Sequence, residues 1–190
     1  MRIIAGNHKG KRLASVGKGD AGAHLRPTSD RVRESLFNLL VNGGYGDPIT
    51  GARVLDLFAG TGALGLEALS RGAAFACFVD DGTSARALLR ENIGLCSAQG
   101  TAKGFRRDAT KLGEAQQPPF DLIFLDPPYG KGLGEKALEA AIAGGWLAPD
   151  ALIVWEENTA PLPPDTCEQL DQRRYGDTLI TILRYEGTQT

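Results

Sequence analysis

Ala52-Arg53-Val54-Leu55-Asp56-Leu57-Phe58-Ala59-Gly60-Thr61-Gly62-Ala63-Leu64-Gly65 is the stretch from which the fold is read. Its first seven residues are a short, mostly apolar run of strand type, and a helical pattern follows the glycines through Leu69. Gly60, Gly62 and Gly65 match G-x-G-x-x-G in the required context of strand, turn and helix. Missing β-carbons there allow a tight turn and a close approach of a ligand to the backbone. Such a turn commonly delivers a pyrophosphate to a helix N-terminus. Asp56 stands just before it, an awkward neighbour for a pyrophosphate and a suitable partner for a cationic amino group. The balance therefore tips from a nicotinamide toward S-adenosylmethionine, with Asp56, Phe58, Ala59, Gly60, Thr61 and Gly62 forming the cradle.

Two further strands extend the pattern. Phe75-Ala76-Cys77-Phe78-Val79-Asp80 is apolar and ends in an acid twenty residues after Gly60, the spacing of a ribose-binding carboxylate. Asp80 is the expected ribose ligand and Asp81 its rival. The helix expected over Ser84–Leu95 packs on the sheet through Leu88, Leu89, Ile93 and Leu95. Thr101–Arg107 reads as a third strand leading to Asp108-Ala109, where the acid would accept from an adenine amine. Arg106 and Arg107 break its apolar run, so the alternative is an edge strand with Asp108 capping a short helix.

Phe120-Asp121-Leu122-Ile123-Phe124-Leu125-Asp126-Pro127-Pro128-Tyr129 carries the chemistry. Leu122–Leu125 has the unbroken apolar character of a strand buried on both faces of a parallel sheet. Asp126 closes that strand, where ligands of open α/β sheets bind. Two prolines lack backbone N–H groups, so the turn offers acceptors only. A carboxylate, a proline carbonyl and the Tyr129 ring suit a planar base with an exocyclic amine. The ring stacks, and the two N–H bonds meet Asp126 and the Pro127 carbonyl. Held in a bent arrangement, the amine nitrogen regains the lone pair that conjugation with the ring withdraws.

The 190 residues suit one domain, a basic arm over residues 1–25 and a catalytic core over 26–190. With 42% hydrophobic and 23% charged residues the composition is that of a soluble globular protein, without the ~20 apolar residues of a membrane span. The N-terminus lacks the apolar core of a secretory signal, so a cytoplasmic location is expected. Cys77, Cys96 and Cys167 form no C-x-x-C pair, and His8 and His24 are the only histidines, so no metal is expected. The net charge of −2 hides an asymmetry, because residues 1–35 carry eight Lys or Arg against three acids.

Arg2–Ala5 and Lys11–Val16 read as two short strands of a hairpin arm joined through Gly6-Asn7-His8-Lys9-Gly10. A glycine-rich loop over Gly17–His24 follows. Then Val32, Leu36, Phe37, Leu39 and Leu40 share a helical face, with Thr28, Ser29 or Asp30 as cap and an end near Asn42-Gly43-Gly44. Lys9, Lys11, Arg12, Arg26, Arg31 and Arg33 are candidate RNA-phosphate contacts, as is Lys131 in the Gly130–Gly134 loop. Solvated surface charge is the plain alternative. A helix over Glu135–Ala143, a strand over Ala151–Trp155, and strands Cys167–Arg174 and Asp177–Tyr185 around Tyr175-Gly176 complete the chain.

Asp56-Leu57-Phe58-Ala59-Gly60-Thr61-Gly62, Asp80 and Asp126-Pro127-Pro128-Tyr129, in that order, resemble the motifs of class I Rossmann-like methyltransferases. Three more stretches resemble the bacterial 16S rRNA guanine-N2 methyltransferases: Arg2-Ile3-Ile4-Ala5-Gly6 with Lys9-Gly10-Lys11, the block Arg26–Asn38, and Tyr175-Gly176-Asp177-Thr178. Val79-Asp80-Asp81-Gly82 departs from the family, which more often has Glu there. The resemblance implies a mainly parallel seven-stranded sheet with a C-terminal antiparallel hairpin. It also implies S-adenosylmethionine as cofactor, Asp126, Pro127, Pro128 and Tyr129 at the reacting amine, and 16S rRNA of the small subunit or its assembly intermediate as partner. A monomer is expected. A DNA adenine-N6 methyltransferase and a non-catalytic RNA-binding assembly protein are the alternatives.

Overall fold

Seven strands lie in one sheet: β1 (Arg53–Leu57), β2 (Phe75–Asp80), β3 (Ala102–Arg106), β4 (Phe120–Leu125), β5 (Leu147–Glu157), β6 (Cys167–Tyr175) and β7 (Thr178–Tyr185). Their order across the sheet is β3-β2-β1-β4-β5-β7-β6. The first five run parallel, and β7 runs antiparallel to both of its neighbours. This computed structural model describes residues 1–16 and 28–187, so the glycine-rich loop and Arg26 lie outside the described residues.

Alternate residues of β1 feed two cores, Val54 in one layer and Leu55 and Leu57 in the other. The first layer packs α1 (Asp30–Asn42), α2 (Ala63–Ser70) and α3 (Thr83–Leu95); the second packs α4 (Leu133–Ala143) and a 3-10 turn at Ala109–Lys111. Crossovers leaving β1 and β4 thus go to opposite faces, which opens a crevice above the carboxyl ends of these adjacent strands. Register then sets the site's geometry. Leu57 pairs with Val79 and Leu125, and Leu125 with Trp155, so Phe58, Asp80, Asp126 and Glu156 end their strands at one level.

α1 starts where Ser29 accepts from the Val32 amide and stops at Gly43, as its sequence pattern predicts. β5 is longer than expected. It starts at Leu147, ahead of the expected Ala151, and its pairing with β4 shifts register before Leu152, with Asp150 at φ 63°. The two strands expected in the N-terminal arm reduce to a single bridge between Arg2 and Arg12. The arm doubles back through cross-strand backbone bonds from Ile3 to Lys11, Gly10 to Ile3 and Leu13 to Met1, and α2 takes up the amides between them. Ile4 and Ala5 donate to the Glu67 carboxylate at 2.9 and 3.0 Å, and His8 donates to Ser70 Oγ at 2.9 Å. Gly6 (φ 81°) makes this docking possible, because a β-carbon there would lie 1.8 Å from the Ser70 carbonyl oxygen.

Candidate active site

A cavity of about 1020 Å³ sits above the ends of β1, β2 and β4, at the upper end of the range for small-molecule sites and roomy enough for a nucleoside and a base together. Its floor is the glycine turn. Gly60 and Gly62 adopt φ 56° and 80°, and Phe58 adopts φ 59°, a conformation that bulky residues avoid and that clusters at functional sites. Asp80 fixes the turn to β2, accepting from the Gly60 amide at 2.9 Å and the Gly82 amide at 2.8 Å while still facing the cavity. Asp81, its rival, is exposed on the same wall.

Asp56 is 1% exposed. One carboxyl oxygen accepts from the Gly65 amide at 3.0 Å, and Oδ1 has no partner among the described residues. Burial pushes this carboxyl up to about 8; the Gly65 bond opposes the shift and the negative Asp80 adds to it. An unpartnered, buried carboxyl oxygen on the cavity wall is what a cationic amino group would complete. Gly65 lets α2 lie close against the oxygen it bonds, since a β-carbon there would run into the Phe78 ring and lie 3.1 Å from Asp56 Oδ2.

Asp108 follows β3 and caps the 3-10 turn, as the alternative reading has it. Its Oδ1 accepts from the Thr110 hydroxyl at 2.7 Å and amide at 2.9 Å, bonds that hold its carboxyl below the usual range. A recess of about 240 Å³ brings Asp108 and Ala109 together with Phe58, Asp80 and Pro128 of the main cavity.

At the end of β4, Asp126, Pro127, Pro128 and Tyr129 line the same cavity. Asp126 is half-buried, and its carboxyl is raised well above the ordinary range by burial, then by the neighbouring Glu156 and Asp56. The Tyr129 hydroxyl donates to Glu156 Oε1 at 2.7 Å, which fixes the ring. Thr28 Oγ1 donates to Glu156 Oε2 at 2.8 Å and lies 3.5 Å from Asp126 Oδ2. Glu156 and Thr28 were not among the expected site residues. A signal for Glu156 existed: β5, like β1, β2 and β4, reaches an acid at its carboxyl end, in Trp155-Glu156-Glu157.

Lys9, Lys11, Arg12 and Arg31 are exposed, and Lys131 is exposed on the cavity rim. Arg33 corrects its expectation. It is 0% exposed, paired with Asp30 at 3.0 Å and Glu67 at 3.8 Å, and donates to the Arg2 carbonyl. Its charge seals the arm against α1 and α2 and is not available to a phosphate.

The profile of the family described as conserved hypothetical protein 95 matches residues 1–184. The chain belongs to that family. Its relatives include ribosomal RNA small subunit methyltransferase D of Escherichia coli K12, 39% identical over 86% of this chain and 79% of that protein. The protein of the same name from Haemophilus influenzae is 36% identical over 98% and 94% of the two chains. A solved Escherichia coli chain provisionally named a methyltransferase superposes with a TM-score of 0.81 at 32% identity, covering 99% of each. TrmN from Thermus thermophilus, at 24% identity and a TM-score of 0.64 over 81% of this chain and 48% of its own, shares the fold. The members of this family and the observed sheet agree with the expected class I methyltransferase architecture.

Proposed function

We propose that this protein transfers the methyl group of S-adenosylmethionine to the exocyclic N2 amine of a guanine in 16S rRNA, within the small ribosomal subunit or its assembly intermediate. One observation carries the reading: Asp126-Pro127-Pro128-Tyr129 and the turn after Asp56 line one cavity at the ends of the adjacent strands β1 and β4, in a chain whose relatives are named ribosomal RNA small subunit methyltransferase D. On this reading the protein works as a monomer in the cytoplasm, without a metal.

When bound, S-adenosylmethionine supplies a methyl carbon made electrophilic by its sulfonium. Asp56 would take the amino group, the turn over Phe58–Gly62 the rest of the amino acid portion, Asp80 the ribose hydroxyls, and Asp108 with Ala109 the adenine. The target base leaves its stack, at a cost of a few kcal/mol, and enters the opposite half of the cavity. Tyr129 supports its face. Asp126 and the Pro127 carbonyl accept the two N–H bonds, turn the nitrogen lone pair toward the methyl carbon and stabilise the positive charge that develops. Alignment of this kind is worth up to ~7–11 kcal/mol of barrier. Lys9, Lys11, Arg12, Arg31 and Lys131, with Arg26, are the proposed phosphate contacts.

The test is methyl incorporation from tritiated cofactor into unmethylated small subunits, free rRNA and duplex DNA, with digestion to nucleosides. N2-methylguanosine from subunits or rRNA is the expected product. N6-methyladenine in the duplex would favour the DNA enzyme, and cofactor binding without product the assembly protein; either overturns the proposal.

A further inference from the structure

We propose that Glu156 is a positioning residue for methyl transfer, joined to Asp126 through the Thr28 hydroxyl so that the paired carboxylates receive the proton released by the amine. The inference rests on the methyl-transfer reading of this site.

The pairing follows from the sheet. β4 and β5 are adjacent and parallel, and Leu125 pairs with Trp155, so Asp126 and Glu156 stand side by side one residue further on. Phe124 and Val154, two residues earlier, pack in the same core layer, so both acids turn to the side where the chain enters α1. Thr28 reaches across from there, its hydroxyl 2.8 Å from Glu156 Oε2 and 3.5 Å from Asp126 Oδ2. Asp126 lines the cavity, whereas Glu156 is 5% exposed behind it and holds Tyr129 through its other oxygen at 2.7 Å. The groups acting on Asp126 are Glu156 and Glu157 from β5, Asp56 from β1 and Thr28 ahead of α1. Among the described residues, three of these are acids.

Closely spaced carboxylates with little access to water resist being ionised together, so the pair binds a proton more firmly than either would alone. That makes Asp126 a stronger base when ionised. In the transfer, the N2 lone pair forms the new N–C bond as the C–S bond breaks and leaves its electrons on sulfur. The N–H bonding pair then returns to nitrogen while the proton goes to the Asp126 carboxylate. The positive charge that arrived on sulfur thus leaves as a proton, which passes to water after the product departs.

The experiment is the pH dependence of the single-turnover rate on unmethylated small subunits at saturating cofactor, where the acid limb reports protonation of the pair. Glu156→Gln keeps an acceptor for Tyr129 and removes the charge. Its acid limb should move down by about one pH unit and its plateau rate fall ~10-fold, with cofactor affinity within about twofold. Thr28→Val removes a donor that favours the ionised form, so its limb should move up. A merely structural role would slow both variants without moving either limb. An unmoved limb in folded Glu156→Gln overturns the inference; should that variant not fold, an unmoved limb in Thr28→Val does so. Asp126→Asn separates the two proposals. If it transfers at the wild-type rate, the methyl-transfer reading of this site fails, whereas an inactive Asp126→Asn with unmoved limbs overturns only the role of Glu156.

Discussion

Asp56 is buried with one unpartnered oxygen, and its carboxyl is pushed up to about 8. Below that pH the group is mostly protonated in the unliganded protein. A cationic amino group placed beside it favours the carboxylate, so binding should expel a proton. Cofactor affinity should therefore rise as pH increases toward about 8. Calorimetry in buffers of different ionisation enthalpy measures the proton directly, and Asp56→Asn should release measurably less at pH 7. Equal release by the two proteins would remove Asp56 from the amino group. Asp80 makes a contrasting case, because its carboxylate holds the amides of Gly60 and Gly82 besides facing the cavity. Asp80→Ala should weaken cofactor binding by at least ~10-fold, since each lost charged hydrogen bond is worth about 1.5–3 kcal/mol. Asp81→Ala, on an exposed residue, should change it far less. A larger loss in Asp81→Ala would transfer the ribose contact to that residue. Asp126→Asn tests the chemistry alone: methyl transfer should fall by ~10²–10⁴-fold, the scale of a lost proton acceptor, with cofactor affinity changed only a few-fold.

Elements with their own periodicity were readable one at a time. The buried run Leu122–Leu125, the glycine turn and the apolar face of α1 each announce a structure through neighbouring residues, and each formed as expected. What joins elements was not readable, because its partners are far apart in sequence. Arg33 looks like surface charge until Glu67, 34 residues later, is folded against it. Glu156 and Thr28 are 128 residues apart and meet only through sheet order and the docking of α1. Glu67 is the clearest of these joints, fully buried, accepting from two arm amides and pairing with Arg71 at 2.9 Å. Glu67→Ala leaves the buried Arg33 without that partner and should destabilise the protein by about 3–5 kcal/mol in urea unfolding. The arm should also open, which limited trypsin digestion at Lys9, Lys11 and Arg12 would register. Cleavage no faster than in the wild type would mean that Glu67 does not hold the arm.

At the scale of the whole molecule, the uneven charge acquires a direction. Residues 1–35 are basic on a chain of net charge −2, and the fold lays the arm on α2 with Met1 and Val16 on the cavity wall. A polyanion drawn to the arm is therefore brought to the mouth of the site and not to a remote face. Folding also separates exposed cations from a buried one. Lys9, Lys11 and Arg12 are exposed, whereas Arg33 is spent on Asp30 and Glu67. Each phosphate contact releases condensed counterions, so the logarithm of affinity falls with the logarithm of salt at ~0.7 per contact on single-stranded RNA. Replacing Lys9, Lys11 and Arg12 together by Gln should make that slope shallower by up to ~2, and affinities should converge at high salt. The single-turnover rate at saturating RNA should stay close to wild type, because none of the three lines the cavity. Filter binding across a salt series decides it: parallel lines for variant and wild type would show that the arm's cations do not touch phosphate and that its role is confined to bracing α2.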